Sequence, residues 1–293
     1  MSISFIHKMF LDAQKRRYAI GAFNFSTSEI LKGIFLGAHN MKAPIIVEAS
    51  EGEQSFLLDE KVGAEEAVAL VNTFKKYHKN KMILHADHHK SFESIKIAIA
   101  AGYPSVHIDA SEYDYEKNVR LTKQVVNYAH RHDVWVEGEL GHVAGTSALH
   151  REIRIQDFVK GMAETDPYQA REFVEKTGIN ALAIMVGNAH GLYKGMKQLD
   201  FDRIAAVKKA TKAFLVLHGG SGTPDASYQK AIKLGINKIN VNTEMRVAFA
   251  TALHKSLHSM QELTPYKYLA NAIEEVRKVV EHKVIVYGAR GKI

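Results

Sequence analysis

Cysteine is absent from the 293 residues. Disulfides and thiolate metal sites are therefore excluded, and any bound metal has to take His, Asp or Glu ligands. No apolar run approaches the roughly 20 residues that a membrane span needs. The N-terminus also lacks the charged region and long apolar core of a signal peptide. The expectation is a cytoplasmic protein with no membrane partner. No motif that reads DNA or RNA accompanies the basic residues. The lysines are spread over helix surfaces, as at Lys75-Lys76, Lys208-Lys209 and Lys278. The net charge of +7 therefore suits an anionic substrate better than a nucleic acid. What is present is a hydrophobic fraction of 46%, ordinary for a chain that buries a core. The 16 histidines make a metal site without thiolates feasible.

Strand and helix signals alternate from end to end. Ala19-Ile20-Gly21-Ala22-Phe23 ends at Asn24, and Pro44-Ile45-Ile46-Val47-Glu48-Ala49 ends at Ser50. Met82-Ile83-Leu84 runs into His85-Ala86-Asp87-His88-His89, and Ser105-Val106-His107-Ile108 closes on Asp109. Val134-Trp135-Val136-Glu137-Gly138-Glu139 carries alternating acids. The apolar run 180–186 leads to Gly187-Asn188-Ala189-His190-Gly191, and Phe214-Leu215-Val216-Leu217 leads to His218-Gly219-Gly220-Ser221-Gly222. Ile236-Asn237-Lys238-Ile239-Asn240-Val241 is the eighth strand. Between them lie capped helices, as at Ser26-Thr27-Ser28-Glu29, Ser91 to Gly102 and Asp166-Pro167 to Gly178. Eight βα units without a linker imply a parallel sheet buried on both faces. In about 250 residues they point to a (β/α)8 barrel, one α/β domain over residues 1–293 with extra helices after Glu244. An open doubly wound sheet would carry a glycine fingerprint after its first strand, and none is there. The stretch 141–165 is too long for an ordinary βα loop and reads as a lid.

In a parallel barrel every C-terminal strand end faces one mouth. That mouth would gather Asn24, Ser50, Asp87, His88, Asp109, Glu139, Asn188, His190, His218 and Asn240. A lone histidine there is more often a capping or core residue. Histidines on three converging strand ends instead form a metal-ligand set, and three imidazoles with an open position suit a catalytic zinc. Asp109 and Glu139 could orient the imidazoles, act as alternative ligands, or pair with lysines of the mouth. The glycine run after the seventh strand and Asn240-Val241-Asn242-Thr243 after the eighth both lead into helices. They are either tight turns or a phosphate site at helix starts, to which Lys194 could add charge.

Six motifs together resemble the class II, zinc-dependent fructose-1,6- and tagatose-1,6-bisphosphate aldolases, over essentially the whole chain. They are Ala22-Phe23-Asn24, the His85 to His89 cluster, Glu137-Gly138-Glu139-Leu140-Gly141, Gly187 to Gly191, His218 to Gly222, and Lys238 to Glu244. The resemblance implies reversible cleavage of a ketose bisphosphate to dihydroxyacetone phosphate and an aldehyde, glyceraldehyde 3-phosphate. It implies zinc on His88, His190 and His218, and Asp87 as the acid/base at the C4 hydroxyl. Gly191, Lys194, Gly219, Ser221, Asn242 and Thr243 would hold the dihydroxyacetone-phosphate end. Asn240 would contact the enediolate region, and Asn24 and Ser50 the sugar hydroxyls. A monovalent cation, Na+ or K+, near the phosphate loops and a homodimer or homotetramer also follow from it.

Two departures stand out. The acid that relatives carry in the lid is missing at its expected place; Glu152 is the nearest candidate, with His150 or His142 as substitutes. The Asp-Pro-Arg that many relatives place before the last helices is replaced by Thr264-Pro265-Tyr266. Either Arg290 or Arg151 binds the distal phosphate instead, or the aldehyde half carries none. Two rival readings remain at this point: a Schiff-base aldolase using Lys238, and a non-catalytic sugar-phosphate-binding protein.

Overall fold

The computed structural model describes residues 1–57, 59–78, 81–258 and 262–293. Its strands, in chain order, are β1 (Ile20–Asn24), β2 (Ile45–Ser50), β3 (Met82–His89), β4 (Ser105–Ile108), β5 (Trp135–Leu140), β6 (Leu149–Arg154), β7 (Ala181–Ile184), β8 (Leu192–Lys194), β9 (Phe214–Leu217) and β10 (Ile236–Val241). All except β6 and β8 form one closed parallel barrel, ordered β1-β10-β9-β7-β5-β4-β3-β2. The architecture is thus the α/β, (β/α)8 barrel that the alternation implies. Its strands are almost wholly buried, as expected of a parallel sheet covered on both faces.

The helices are α1 (Ile3–Arg16), α2 (Ser28–Met41), α3 (Glu51–Leu57), α4 (Glu60–Lys75), α5 (Phe92–Ala101), α6 (Tyr115–Arg131), α7 (Ile155–Val159), α8 (Pro167–Thr177), α9 (Phe201–Ala210), α10 (Asp225–Leu234), α11 (Thr243–Leu257) and α12 (Pro265–Val286). Local chemistry sets their ends. Thr27, Ser91 and Asp166 cap α2, α5 and α8 by accepting a backbone N–H. Gly102 and Gly178 end α5 and α8 in the left-handed region that glycine tolerates best. No helix among the described residues is long and apolar enough to cross a membrane.

Two features go beyond the alternation. Helix α1 precedes the first strand and closes the N-terminal end of the barrel. Its Phe10 stacks on Trp135 with ring centroids 4.9 Å apart and lies 5.2 Å from Phe214, the residues that open β5 and β9. The stretch 141–165 is not plain loop. It contains β6 and α7, and β6 pairs in parallel with β8 over the mouth side of the chain.

Candidate active site

The site begins with a break in a strand. Side chains of a regular strand alternate between faces, so Asp87 and His88 should point opposite ways. His88 instead has φ +49°, and the β3–β4 register shifts between Ala86 and His89. This local bulge re-aims a side chain, and both Asp87 and His88 line the central pocket. His89 turns away and contacts the Gln54 amide at 3.2 Å.

Three imidazoles meet there. Ring centroids are 4.5 Å apart for His88 and His218, 4.9 Å for His88 and His190, and 6.0 Å for His190 and His218. Each ring has one nitrogen held by an acceptor. His88 Nδ1 donates to Asp109 Oδ2 (2.8 Å), His190 Nδ1 to the Val143 carbonyl (3.0 Å) and His218 Nε2 to Glu137 Oε1 (2.7 Å). That leaves Nε2 of His88 and His190 and Nδ1 of His218 as the available nitrogens. His88 Nε2 is buried without a hydrogen-bond partner, and His218 Nδ1 faces only the Asn240 amide at 3.3 Å. An acceptor behind each ring and a free nitrogen in front is how imidazoles are prepared for a metal ion. Among the described residues three groups bring ligand atoms within 4.8 Å of one another: Asp87, His88, His107 and His218; His88, Asp109 and Glu139; and Glu48, His85 and Asp87. His190 belongs to none of the three and stands edge-on to His88.

Charge around the rings is uneven. Burial opposes charging His88, but the Asp87 charge and the Asp109 hydrogen bond outweigh it and push the imidazole up to about 10. Burial and the charge on His88 lower His218 to about 4 and hold His190 well below the ordinary value. Burial also works against ionisation of Asp87, yet the charge on His88 and the neighbouring His107 imidazole keep that carboxyl well below the usual range. Burial pushes Glu139 up to about 7, with repulsion from Asp109 adding to it.

Below the mouth lies a buried layer of charge. Lys238 Nζ bridges Glu48 (2.8 Å) and Glu137 (2.9 Å). Glu48 accepts the Asn240 amide at 2.9 Å, and His85 Nε2 lies 3.7 Å from Glu137. His107 sits between Asp87 (3.9 Å) and Glu139 (3.7 Å). The two carboxylates hold Lys238 above its ordinary pKa despite burial, the reverse of what a Schiff-base nucleophile requires.

The pocket is completed by loops. Gly191, Gly219, Ser221, Asn242 and Thr243 line it beside His88 and His190, together with Ser147 from the stretch 141–165. Asn242 precedes α11 without a side-chain cap; in the first turn the Glu244 N–H donates to Ser221 Oγ at 3.3 Å, which ties the start of this helix to the pocket loop. Asn24 and Asn240 both donate to Asp87, at 2.9 and 3.3 Å. Ser50 is drawn to Glu53, which collects the Ser50 N–H and hydroxyl, Asn24, Asn242 and Arg246 within 3.3 Å. Asn188 turns inward and ties the loop to the Ile184 and His218 carbonyls.

Other expected residues lie elsewhere. Lys194 is exposed on β8, outside the pocket wall; the buried lysine near the loops is Lys197. Glu152 and Arg151 are exposed on β6. His142 binds Ser111 Oγ at 3.0 Å over an outer hollow that also contains Lys90, Asp109 and Glu112. His150 stacks on Tyr193 at 4.6 Å. Arg290 cannot serve the mouth. Its neighbour Gly291 bonds the Met41 carbonyl at the end of α2, and Tyr287 bonds Ala19 just before β1, which places this tail at the opposite end of the barrel.

Barrel and mouth together define a class of protein: a (β/α)8 barrel that offers imidazole and carboxylate ligands to a cation beside a loop-lined pocket. The chain belongs to the class-II fructose-bisphosphate aldolase family, whose model matches residues 5–292. The solved YdjI aldolase from Escherichia coli K12 is 33% identical, with 98% of each chain covered and a TM-score of 0.82. The fructose-bisphosphate aldolase of Campylobacter jejuni shares the fold at 21% identity and a TM-score of 0.86, over 100% of this chain and 97% of its own. Membership makes the protein an aldolase, a carbon–carbon lyase of a generally metal-dependent family that acts on sugar phosphates.

Proposed function

We propose that the protein is a zinc-dependent aldolase that cleaves a phosphorylated ketose between C3 and C4 to dihydroxyacetone phosphate and an aldehyde. The observation that carries this is the trio of imidazoles, each fixed through one nitrogen, next to an ionised Asp87. His88, His190 and His218 would hold the metal, with Asp109 and Glu139 as orienting groups or alternative ligands. A divalent cation there supplies Lewis acidity to the ketone carbonyl. Asp87, held by Asn24 and Asn240, takes the proton from the C4 hydroxyl as the bond breaks. Asn240 is placed to donate to the developing enediolate, and Asn24 and Ser50 face the sugar hydroxyls once Glu53 releases them. The phosphate sits on Gly191, Gly219, Ser221, Asn242 and Thr243, at the start of α11. Glu152 is assigned the proton transfer at the dihydroxyacetone carbon. It reaches that carbon only when β6 folds inward, as Ser147 of the same stretch already does.

One observation favours an aldehyde half without a phosphate. In the outer hollow Lys90 is already paired with Glu112 (2.9 Å), and Asp109 adds a further negative charge. A ketose 1-phosphate lacking the distal phosphate is therefore the second reading beside the fructose and tagatose bisphosphates. The test is release of dihydroxyacetone phosphate from each substrate, with and without a chelator. Chelator-sensitive cleavage is expected. Cleavage that survives exhaustive chelation and is trapped by borohydride would replace this reading with a Schiff-base mechanism.

A further inference from the structure

Lys197 lies between β8 and α9, and only 3% of it is exposed. Its three N–H groups are shared among four carbonyl oxygens, those of Ala189 (2.7 Å), Gly191 (3.0 Å), Gly219 (2.7 Å) and Ser221. All four carbonyls belong to the loops after β7 and β9, and Gly191, Gly219 and Ser221 also line the pocket. The N–H at the far side of each of these peptides is tied as well. His190 N donates to Ala144 O (2.9 Å), Leu192 N to Ala148 O (3.0 Å), Gly220 N to Asn240 O (3.2 Å) and Gly222 N to Glu244 Oε1 (2.8 Å). The peptides are thus fixed from both ends, with their oxygens converging on one point.

Convergent main-chain carbonyls are the ligand set that strips and holds a monovalent cation. Here the point they surround is occupied by an ammonium on a tether. Burial pulls Lys197 down to about 7, but all four groups facing its nitrogen are acceptors, so the ammonium is the form that fits this cage and it is fully present below neutrality. The shell consists of neutral dipoles. Glu244, the nearby carboxylate, is paired with Lys283 at 2.8 Å. The positive charge is therefore not cancelled within its cage, and it stands directly behind the loops that face the pocket.

We propose that Lys197 is a built-in monovalent cation: its ammonium takes the place that a free Na+ or K+ would fill, locks the two loops together and lends its charge to the substrate phosphate. The enzyme then needs no alkali cation, in contrast to what the family resemblance implies. This inference rests on the reading of the pocket as a phosphate site.

Inorganic phosphate is the probe. It is titrated calorimetrically at pH 6, below the Lys197 value of about 7, into the intact protein and into Lys197→Ala, in tetramethylammonium buffer at fixed ionic strength, with and without added K+ or Na+. Wild-type protein should bind phosphate equally in every buffer. Lys197→Ala should bind about tenfold more weakly without alkali cations and regain most of that affinity when K+ or Na+ enters the vacated cage. Such rescue separates a role in charge from a role in packing alone. Wild-type affinity that climbs several-fold with K+ or Na+ would overturn the proposal. So would a variant that matches wild type without cations, or one that no cation restores. Lys197→Met provides a second variant if Lys197→Ala does not fold, and the wild-type comparison decides independently of both. If wild-type protein binds no phosphate in any buffer, the phosphate reading of the pocket fails and this inference with it.

Discussion

Asp87 is ionised because the charge on His88, with His107, His218 and Lys238 beside it, outweighs its burial. The role proposed for it as proton acceptor predicts that Asp87→Asn, which keeps the shape and removes the base, lowers cleavage by about 10²–10⁴-fold with metal content unchanged. Turnover near wild type in that variant would remove Asp87 from the mechanism. Asp109 acts one step away, through His88. Asp109→Ala should weaken zinc binding by about 10–100-fold, measured by competition with a chromophoric chelator; undiminished affinity would show that His88 needs no orienting partner. The residues that the strand-end reading did not single out obey a rule already in the sequence. Glu48, His85, His107, Glu137 and Lys238 each lie two positions before a mouth residue: Ser50, Asp87, Asp109, Glu139 and Asn240. Period two places both on the inward face, so the buried charged layer was legible from the mouth residues alone. Glu53 and Lys197 follow no such rule. They reach the site from a short helix and an irregular loop, and only the fold brings them there.

The barrel strands are short apolar runs, and their burial on both faces makes such runs stand out without any periodicity. Helix α1 also has a readable pattern, with Ile6, Met9, Phe10 and Ala13 buried at helical spacing. An eightfold βα repeat simply has no place for a helix before its first strand. Strands β6 and β8 carry no burial pattern, being mostly exposed, and nothing local distinguishes them from loop. The packing of α12 on α2 depends on small residues. A Cβ added at Gly33 would lie 2.8 Å from Val276 Cβ, and one at Gly37 would lie 2.9 Å from the Arg277 carbonyl. Replacing a helical glycine by alanine gains about 1 kcal/mol in propensity, while overpacking costs about 1–3 kcal/mol. Gly33→Ala should therefore be destabilising on balance, seen as a lower denaturation midpoint at unchanged slope. A midpoint at or above wild type would mean that the helices separate freely. At the N-terminal end of the barrel, truncating Phe10 beneath Trp135 should cost about 3–5 kcal/mol, read from the same denaturation curves.

On the scale of the molecule, the proposed metal site would link folding and metal binding through His88. In the metal-free protein its pKa of about 10 lies above the ordinary 6.5. Protonation of this imidazole therefore contributes stability that is complete below about 6.5 and is lost as pH rises through 10. A metal ion needs the same nitrogen without its proton, so binding expels a proton across that window. Zinc affinity should rise about tenfold per pH unit between neutrality and pH 9. Calorimetry at pH 8 in two buffers of different ionisation enthalpy should report about one proton released per zinc bound. The apolar packing between the strands and the surrounding helices involves none of the proposed ligands, and the chelated protein should stay folded. Metal then adds stability by mass action, about 4 kcal/mol at a free concentration a thousandfold above its dissociation constant. Loss of secondary structure on chelation would make the metal a folding element rather than a ligand of a finished barrel. Zinc binding without proton release would mean that the His88 proton and the metal do not compete, and the imidazole trio would then not be the metal site.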